Sequence, residues 1–168
     1  MDGIIDFEIV GNKRYNKYDL TGEYGIGYTF NEQPFYFSLD KFDLIYPHCW
    51  RYETDRKKYV ISHDGNGGTI KMHRLVTNCP DDMEVDHIFH INYDNRDSEL
   101  RICTRSENMM NIRSKGISYN KRSEKWEVYI NKDKKRISLG LYITEEEALR
   151  VRRQAELKYW GDFAPNKD

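Results

Sequence analysis

The segment EVDHIFHINYDNRDSELRICTRSENMMN (residues 84–111) concentrates side chains that can bind metal ions and phosphate groups. It contains Asp86 and His87 side by side, several arginines, and an asparagine-rich end that includes Asn108. Carboxylate and amide oxygens are the ligands of hard cations such as Mg²⁺ and Mn²⁺. A histidine that titrates near neutral pH can take a proton from water. A purely structural loop does not need this combination, so the segment predicts a functional site.

The same segment has the pattern of a small α+β unit. Residues 83–88 (MEVDHI) and 99–104 (ELRICT) predict two short strands joined by a long loop. Residues 105–114 (RSENMMNIRS) predict the start of a helix, which Thr104 or Ser106 is suited to cap. The expected order is therefore strand, loop, strand, helix.

A β-rich module is predicted before this segment. Residues 17–38 (KYDLTGEYGIGYTFNEQPFYFS) predict two strands around a turn, and residues 39–50 a short helix. A second hairpin is predicted from residues 58–64 (KYVISHD) and 69–76 (TIKMHRLV), around the hairpin signal Asn66-Gly67. This module either positions a ligand or supports the unit that follows, and support is the favoured role.

A third unit follows the helix. Residues 116–123 (GISYNKRS), 125–132 (KWEVYINK) and 135–142 (KRISLGLY) predict three alternating strands. A helix then begins after the N-cap signal at Thr144 and ends at Gly161. The predicted fold class is α+β, with an N-terminal β-rich module (1–80), a central strand-strand-helix finger (81–114), and a C-terminal three-stranded antiparallel sheet packed on one helix (115–168).

Composition limits the classes of function. Hydrophobic residues make up 38% of the 168 residues and charged residues 33%, which suits several small modules. No window approaches a membrane span, the acidic start lacks the basic region of a signal peptide, and three scattered cysteines suit a reducing cytoplasm. The absence of a C-x-x-C pair argues against structural zinc. We therefore expect a cytoplasmic protein with no membrane partner.

Charge is unevenly distributed along the chain. Residues 1–100 contain 11 Lys and Arg against 18 Asp and Glu, whereas residues 101–168 contain 16 against 10. A basic C-terminal part predicts a polyanionic partner, and a solvated face rich in lysine is the alternative.

Five motifs together resemble the HNH nuclease family, in particular the phage and intron-encoded homing endonucleases. They are MHRLV (72–76), VDHI (85–88), DNR (94–96), ELRICT (99–104) and ENMMN (107–111), and YDLTGEYGIGYT (18–29) resembles the leader that precedes them. The resemblance implies a ββα-metal finger, in which a hairpin and a helix hold one divalent ion.

The resemblance also implies residue roles. Asp86 and Asn108 are expected to bind one Mg²⁺ or Mn²⁺, and His87 to act as the general base that activates water. The family has an asparagine immediately before LR that orients the histidine, whereas this chain has Glu99. Glutamate cannot donate an amide N–H, so Glu99 implies weaker catalysis, a rearranged support or lost function. Asn95 is a nearby amide suited to compensate.

Several further candidates have two interpretations. His90 is either a third ligand or a loop residue, and Asn111 competes with Asn108. His73 either reaches a phosphate or packs structurally, and Arg74 is a candidate for binding DNA. Arg96, Arg101 and Arg105 are placed to clamp a phosphate. The alternative partners of these arginines are Asp94, Asp97 and Glu99.

Residues 116–163 resemble the Apetala/ethylene-response-factor type of DNA-binding domain, through W-x-V-x-I, then LG-x-Y-x-T-x-EEA, then Y-x-G-x-F. The resemblance implies that one sheet face enters the major groove of DNA. The candidates on that face are Ser118, Asn120, Arg122, Lys125, Tyr129, Asn131, Arg136 and Ser138. A solvated sheet face is the alternative.

The combined hypothesis is a monomeric, metal-dependent DNA endonuclease of a phage or bacterial mobile element that nicks double-stranded DNA. The main alternative is a non-catalytic DNA-binding protein with a degenerate finger, for which Glu99 is the evidence. A weaker alternative is an adaptor that binds RNA or protein.

Overall fold

The computed structural model describes residues 3–10, 13–54, 56–111 and 116–165. The chain folds into two compact units, Met1–Cys103 and Thr104–Asp168. Both helices and small sheets are present, which confirms the predicted α+β class. The boundary falls inside the predicted finger (81–114), whose two strands belong to the first unit and whose helix belongs to the second. In the described part of the chain, no helix has the length and apolar character needed to cross a bilayer.

The first unit is built from short strands. They are β1 (Ile4–Ile5), β2 (Glu8–Val10), β3 (Lys13–Tyr15), β4 (Lys17–Asp19), β5 (Gly25–Tyr28), β6 (Pro34–Phe37), β7 (Arg51–Tyr52), β8 (Val60–His63), β9 (Thr69–Lys71), β10 (Glu84–His87), β11 (Asp94–Asn95) and β12 (Leu100–Cys103). Its two short helices are α1 (Phe42–Ile45) and α2 (Met72–Thr77), and 3₁₀ turns occupy Leu39–Lys41 and Asp97–Glu99.

Four sheets organise these strands. The largest has the order β1-β4-β5-β6-β11, and the others are β7-β8-β9, β10-β12 and β2-β3. All pairings are antiparallel except that of β11 with β6, where Asn95 pairs with Phe37. A strand from the predicted finger loop therefore completes the sheet of the predicted N-terminal module.

One aromatic core serves the whole first unit. Tyr18, Phe35 and Phe37 are fully buried and meet edge to face or tilted, as aromatic rings prefer. Leu100 of β12 belongs to the same core. Because residues from both predicted modules fill this core, the N-terminal module and the finger hairpin form one folded unit.

Helix α2 corrects the hairpin predicted over residues 58–76. Strand β9 ends at Lys71, and a helix begins at Met72 in place of the predicted strand. Met72, His73 and Val76 are buried, which is a helical spacing and not an alternating one. Asn78 ends the helix in the left-handed conformation.

The second unit begins with α3 (Arg105–Met110), which Thr104 and Glu107 cap reciprocally. Strands β13 (Ile117–Asn120), β14 (Lys125–Lys132) and β15 (Lys135–Tyr142) form an antiparallel sheet in that order. Helix α4 (Glu145–Trp160) packs on the face that contains Val128 and Ile130, and a 3₁₀ turn (Gly161–Phe163) follows it. The predicted sheet, helix and helix end at Gly161 are confirmed.

Candidate functional site

The hairpin β10-β12 positions the central pair of the first unit. Its register places Asp86 opposite Arg101 and His87 opposite Leu100. Because successive side chains of a strand point to opposite faces, Asp86 and His87 face different surroundings. The backbone N–H of Ile88 donates to the carbonyl of Glu99 at 2.9 Å, which extends the hairpin by one bond.

Asp86 is the most enclosed carboxylate of this hairpin. Its side chain is 5% exposed, and Arg101 Nε donates to its Oδ2 atom at 2.8 Å, while Arg101 Nη2 lies 2.6 Å from the same oxygen as an ion-pair contact. Arg101 is therefore an ion-pair partner of Asp86. This partner differs from the nearby acids Asp94, Asp97 and Glu99 that the sequence offered.

His87 lies in an aromatic and histidine-rich environment. It is 5% exposed, and its ring centroid lies 5.2 Å from that of His73 and 5.8 Å from that of Tyr59. Burial lowers the pKa of His87 to about 4, against the opposing effects of Asn95, Asp86 and Asp94. The imidazole is consequently neutral at neutral pH, which is the state that a general base requires.

His73 and Arg74 are both engaged within the fold. His73 is 7% exposed and also contacts the ring of Tyr59, and burial lowers its pKa to about 3. Arg74 donates to the carbonyls of Met83 at 3.0 Å, Cys79 at 3.3 Å and Pro80 at 2.8 Å. The packed alternative describes the surroundings of His73, and the guanidinium of Arg74, a predicted DNA-binding residue, is engaged by backbone carbonyls.

Asn95, and not Glu99, places a side chain beside His87. Asn95 is fully buried on β11. Its side-chain amide raises the pKa of His87, although the contact between the two side chains lacks the geometry of an ordinary hydrogen bond. The carboxylate of Glu99 instead accepts from Ser98 Oγ at 3.0 Å and lies 3.7 Å from Arg96 Nη2. The amide that the sequence suggested as a compensating residue is therefore near the histidine.

Arg96 is held by the loop that carries it. Its guanidinium donates to both carboxylate oxygens of Asp94, at 2.8 and 2.6 Å, and lies over the ring of Tyr24. Hydrogen bonding to Asp94 raises the pKa of Arg96 above its ordinary value. Pairing with Asp94 was one of the two interpretations of Arg96.

The donor chemistry fits a hard cation better than zinc. Asp86 offers carboxylate oxygens, and Asn108, the other predicted ligand, lies on α3 of the second unit. Within the described ranges, no three His, Cys, Asp or Glu side chains are grouped so as to hold a metal ion. A magnesium ion needs few protein ligands because it retains several waters. Asn111, the competing asparagine, is 1% exposed, and His90 follows the turn of Ile88 and Phe89 with a positive φ of 61°.

The outer face of the second-unit sheet contains partly engaged polar residues. Arg136 lies 3.6 Å from the ring centroid of Tyr129 and 3.3 Å from a carboxylate oxygen of Glu127. Asn120 Oδ1 accepts from the backbone of Arg122 and Ser123 in the turn. The remaining candidates on this face are exposed, namely Ser118, Lys125, Asn131 and Ser138.

Tyr59 is the residue of the site that sequence reasoning missed. Its ring contacts both His73 and His87, and it lies immediately before β8. The sequence contains 13 tyrosines, and Tyr59 stands at the start of an ordinary strand pattern. Local sequence therefore held no signal for its position between the two histidines.

Comparison with known proteins gives one informative similarity. No family model matches this chain, and no solved structure matches it. The chain is 28% identical over 143 residues to an uncharacterized HNH endonuclease of Acanthamoeba polyphaga mimivirus, an alignment that covers 77% of this chain and 73% of that protein. The similarity therefore supports a relation to HNH endonucleases that extends well beyond the short finger motif.

Proposed function

We propose that this protein is an HNH-type endonuclease that hydrolyses phosphodiester bonds of double-stranded DNA. The observation that carries the proposal is the hairpin β10-β12, which presents a buried carboxylate, Asp86, next to a neutral histidine, His87. The similarity to a viral protein named as an HNH endonuclease supports the same chemistry.

In this proposal, Asp86 and Asn108 hold one Mg²⁺ or Mn²⁺. When bound, such an ion supplies positive charge to the scissile phosphate and to the departing 3′ oxygen. His87 takes the proton from the attacking water through its neutral imidazole. Asn95 and the rings of His73 and Tyr59 restrict the orientation of His87.

The second unit brings the enzyme to DNA in the same proposal. Its exposed sheet residues lie in the part of the chain with a net positive charge. With one finger per chain, a monomer has one active site and nicks one strand at a time. The setting that we propose is the cytoplasm of a bacterial or phage-infected cell.

A plasmid-nicking assay tests the proposal. Supercoiled plasmid is incubated with Mg²⁺ or Mn²⁺ and with wild type, His87→Ala or the control His63→Ala. We expect wild type to produce nicked circles and His87→Ala to be slower by at least about 100-fold, because the general base is removed. His63 is exposed at the end of β8, where it pairs with Arg51, so His63→Ala should retain the wild-type rate. Equal rates for wild type and His87→Ala would refute the role of His87.

Glu99→Asn separates this proposal from the degenerate-finger alternative. Because the Glu99 carboxylate pairs with Ser98 and Arg96, we expect Glu99→Asn to retain or raise nicking activity. A clear fall would assign Glu99 a positive role in catalysis. Salt-dependent binding to duplex DNA without cleavage at any divalent-ion concentration would favour the non-catalytic DNA-binding protein. Preference for RNA over duplex DNA would favour the adaptor.

A further inference from the structure

The ion pair between Asp86 and Arg101 has an unusual position for a structural pair. Both residues are largely enclosed, with side chains 5% and 17% exposed, and they lie directly opposite each other on β10 and β12. The hydrogen bond from Arg101 Nε and the ion-pair contact of Arg101 Nη2 both involve one oxygen, Oδ2. The carboxylate that is proposed to bind the metal is therefore already neutralised by a cation of the same chain.

Two positive groups close to one carboxylate repel each other strongly where water is scarce. A guanidinium at hydrogen-bond distance from Asp86 would lie within about 5 Å of a cation bound to the same side chain, and the repulsion grows as the local dielectric constant falls. A divalent ion that binds Asp86 therefore competes with Arg101 for the negative charge of this carboxylate.

We propose that Arg101 is the resident counter-ion of Asp86 and that a divalent cation binds by displacing it. This inference rests on the proposed function, because that function supplies the metal role of Asp86. Arginine has a long side chain and a fork of donors that suits phosphate oxygens. Once displaced from Asp86, Arg101 is expected to pair with a phosphodiester, so cation and DNA should bind more tightly together than either does alone.

Calorimetric titration of Mn²⁺ into the full chain without DNA tests the displacement. Arg101→Gln removes the competing charge, and we expect it to raise the affinity for Mn²⁺ at least about tenfold over wild type. Arg101→Lys keeps a charge but loses the planar guanidinium, so its affinity for Mn²⁺ should lie between those of wild type and Arg101→Gln. Arg51→Gln is the matched control, because Arg51 is exposed and pairs with His63, and it should bind Mn²⁺ as wild type does.

Thermal unfolding gives a second readout that does not depend on activity. Without metal, Arg101→Gln should melt below wild type, because it leaves Asp86 as a buried charge without its counter-ion. Added Mn²⁺ should then raise its melting temperature more than that of wild type. If Arg101→Gln does not fold, the Arg101→Lys comparison alone decides.

The outcomes distinguish the two proposals. Displacement is supported if Arg101→Gln binds Mn²⁺ most tightly, Arg101→Lys less tightly and wild type least tightly. Equal affinities, or weaker binding by Arg101→Gln, overturn displacement and leave the proposed nuclease function intact. If Mn²⁺ produces neither heat nor a melting shift in wild type or either variant, both the displacement and the proposed metal site fail. Asp86→Asn, which removes the shared carboxylate, should abolish binding if the site is the one proposed.

Discussion

His73 and His87 form a buried pair of histidines, and burial sets how the fold responds to acid. Their rings meet edge to face at 5.2 Å, and burial lowers the pKa values to about 3 and about 4. In the unfolded chain, histidine has a pKa of about 6.5. Between about pH 6.5 and pH 4 the unfolded state therefore binds more protons than the folded state, and the free energy of unfolding falls as the pH is lowered.

This linkage predicts a measurable pH dependence. Between pH 6 and pH 5, the two histidines together should lower the free energy of unfolding by about 2 kcal/mol, and His73→Gln should reduce that fall to about 1 kcal/mol. Urea unfolding at the two pH values measures both numbers without added metal. The same fall in wild type and variant would show that His73 titrates normally in the folded protein.

The pairing of Arg101 with Asp86 marks a limit of prediction at the residue scale. The sequence offered Arg101 acids that are close along the chain, namely Asp94, Asp97 and Glu99. Arg101 instead pairs with Asp86, which lies directly across the hairpin. This pairing depends on the register of β10 and β12. Register is fixed by the packing of a whole face, so a spacing rule within one segment cannot reveal it.

At the scale of elements, the alternating glycines of β5 leave room for the aromatic side chains of the neighbouring strand β6. A Cβ atom built on Gly27 would lie 2.1 Å from Cζ of Phe35, its cross-strand partner, and one on Gly25 would lie 2.3 Å from the ring of Phe37. The glycines leave space in which the two phenylalanine rings lie flat across the strand. They are thus a packing requirement of the core.

Substitution of Gly27 tests this packing. Gly27→Ala should lower the free energy of unfolding by about 1–3 kcal/mol, because the core must shift to admit one methyl group. The control is Gly22→Ala, whose Cβ atom would meet only the carbonyl of Tyr24 at 3.7 Å and should change stability by less than about 0.5 kcal/mol. Denaturant titration of both variants measures the difference, and equal stabilities would contradict the packing argument.

Elements with local signals were predicted well from the sequence. The strand alternation of Trp126, Val128 and Ile130 and the helix limits at Thr144 and Gly161 need only neighbouring residues, and all are confirmed. The segment MHRLV carries β-branched and apolar residues that also suit a strand. Its helical form depends on burying Met72, His73 and Val76 in a core that other segments supply.

At the scale of the whole molecule, the uneven charge allows a test of the proposed DNA binding. Lys125 is exposed at the start of β14, whereas Arg150 is exposed on α4, which packs on the opposite face of the sheet. If the outer sheet face contacts phosphates, Lys125→Ala should reduce the salt slope of duplex binding by about one unit, and Arg150→Ala should leave the slope unchanged. Fluorescence anisotropy over about 50–200 mM salt measures both. If Arg150→Ala lowers the salt slope and Lys125→Ala leaves it unchanged, the phosphates lie on the helix side of the sheet.

The two-residue strand β11 has a consequence for the order in which the protein is made. Its parallel partner β6 emerges from the ribosome much earlier, so the edge of β6 has no native neighbour until residue 95 has been synthesised. Pairings between distant residues form slowly, and an open strand edge invites intermolecular association. We therefore expect the nascent chain to be prone to aggregation until the loop that carries Asn95 has paired with β6.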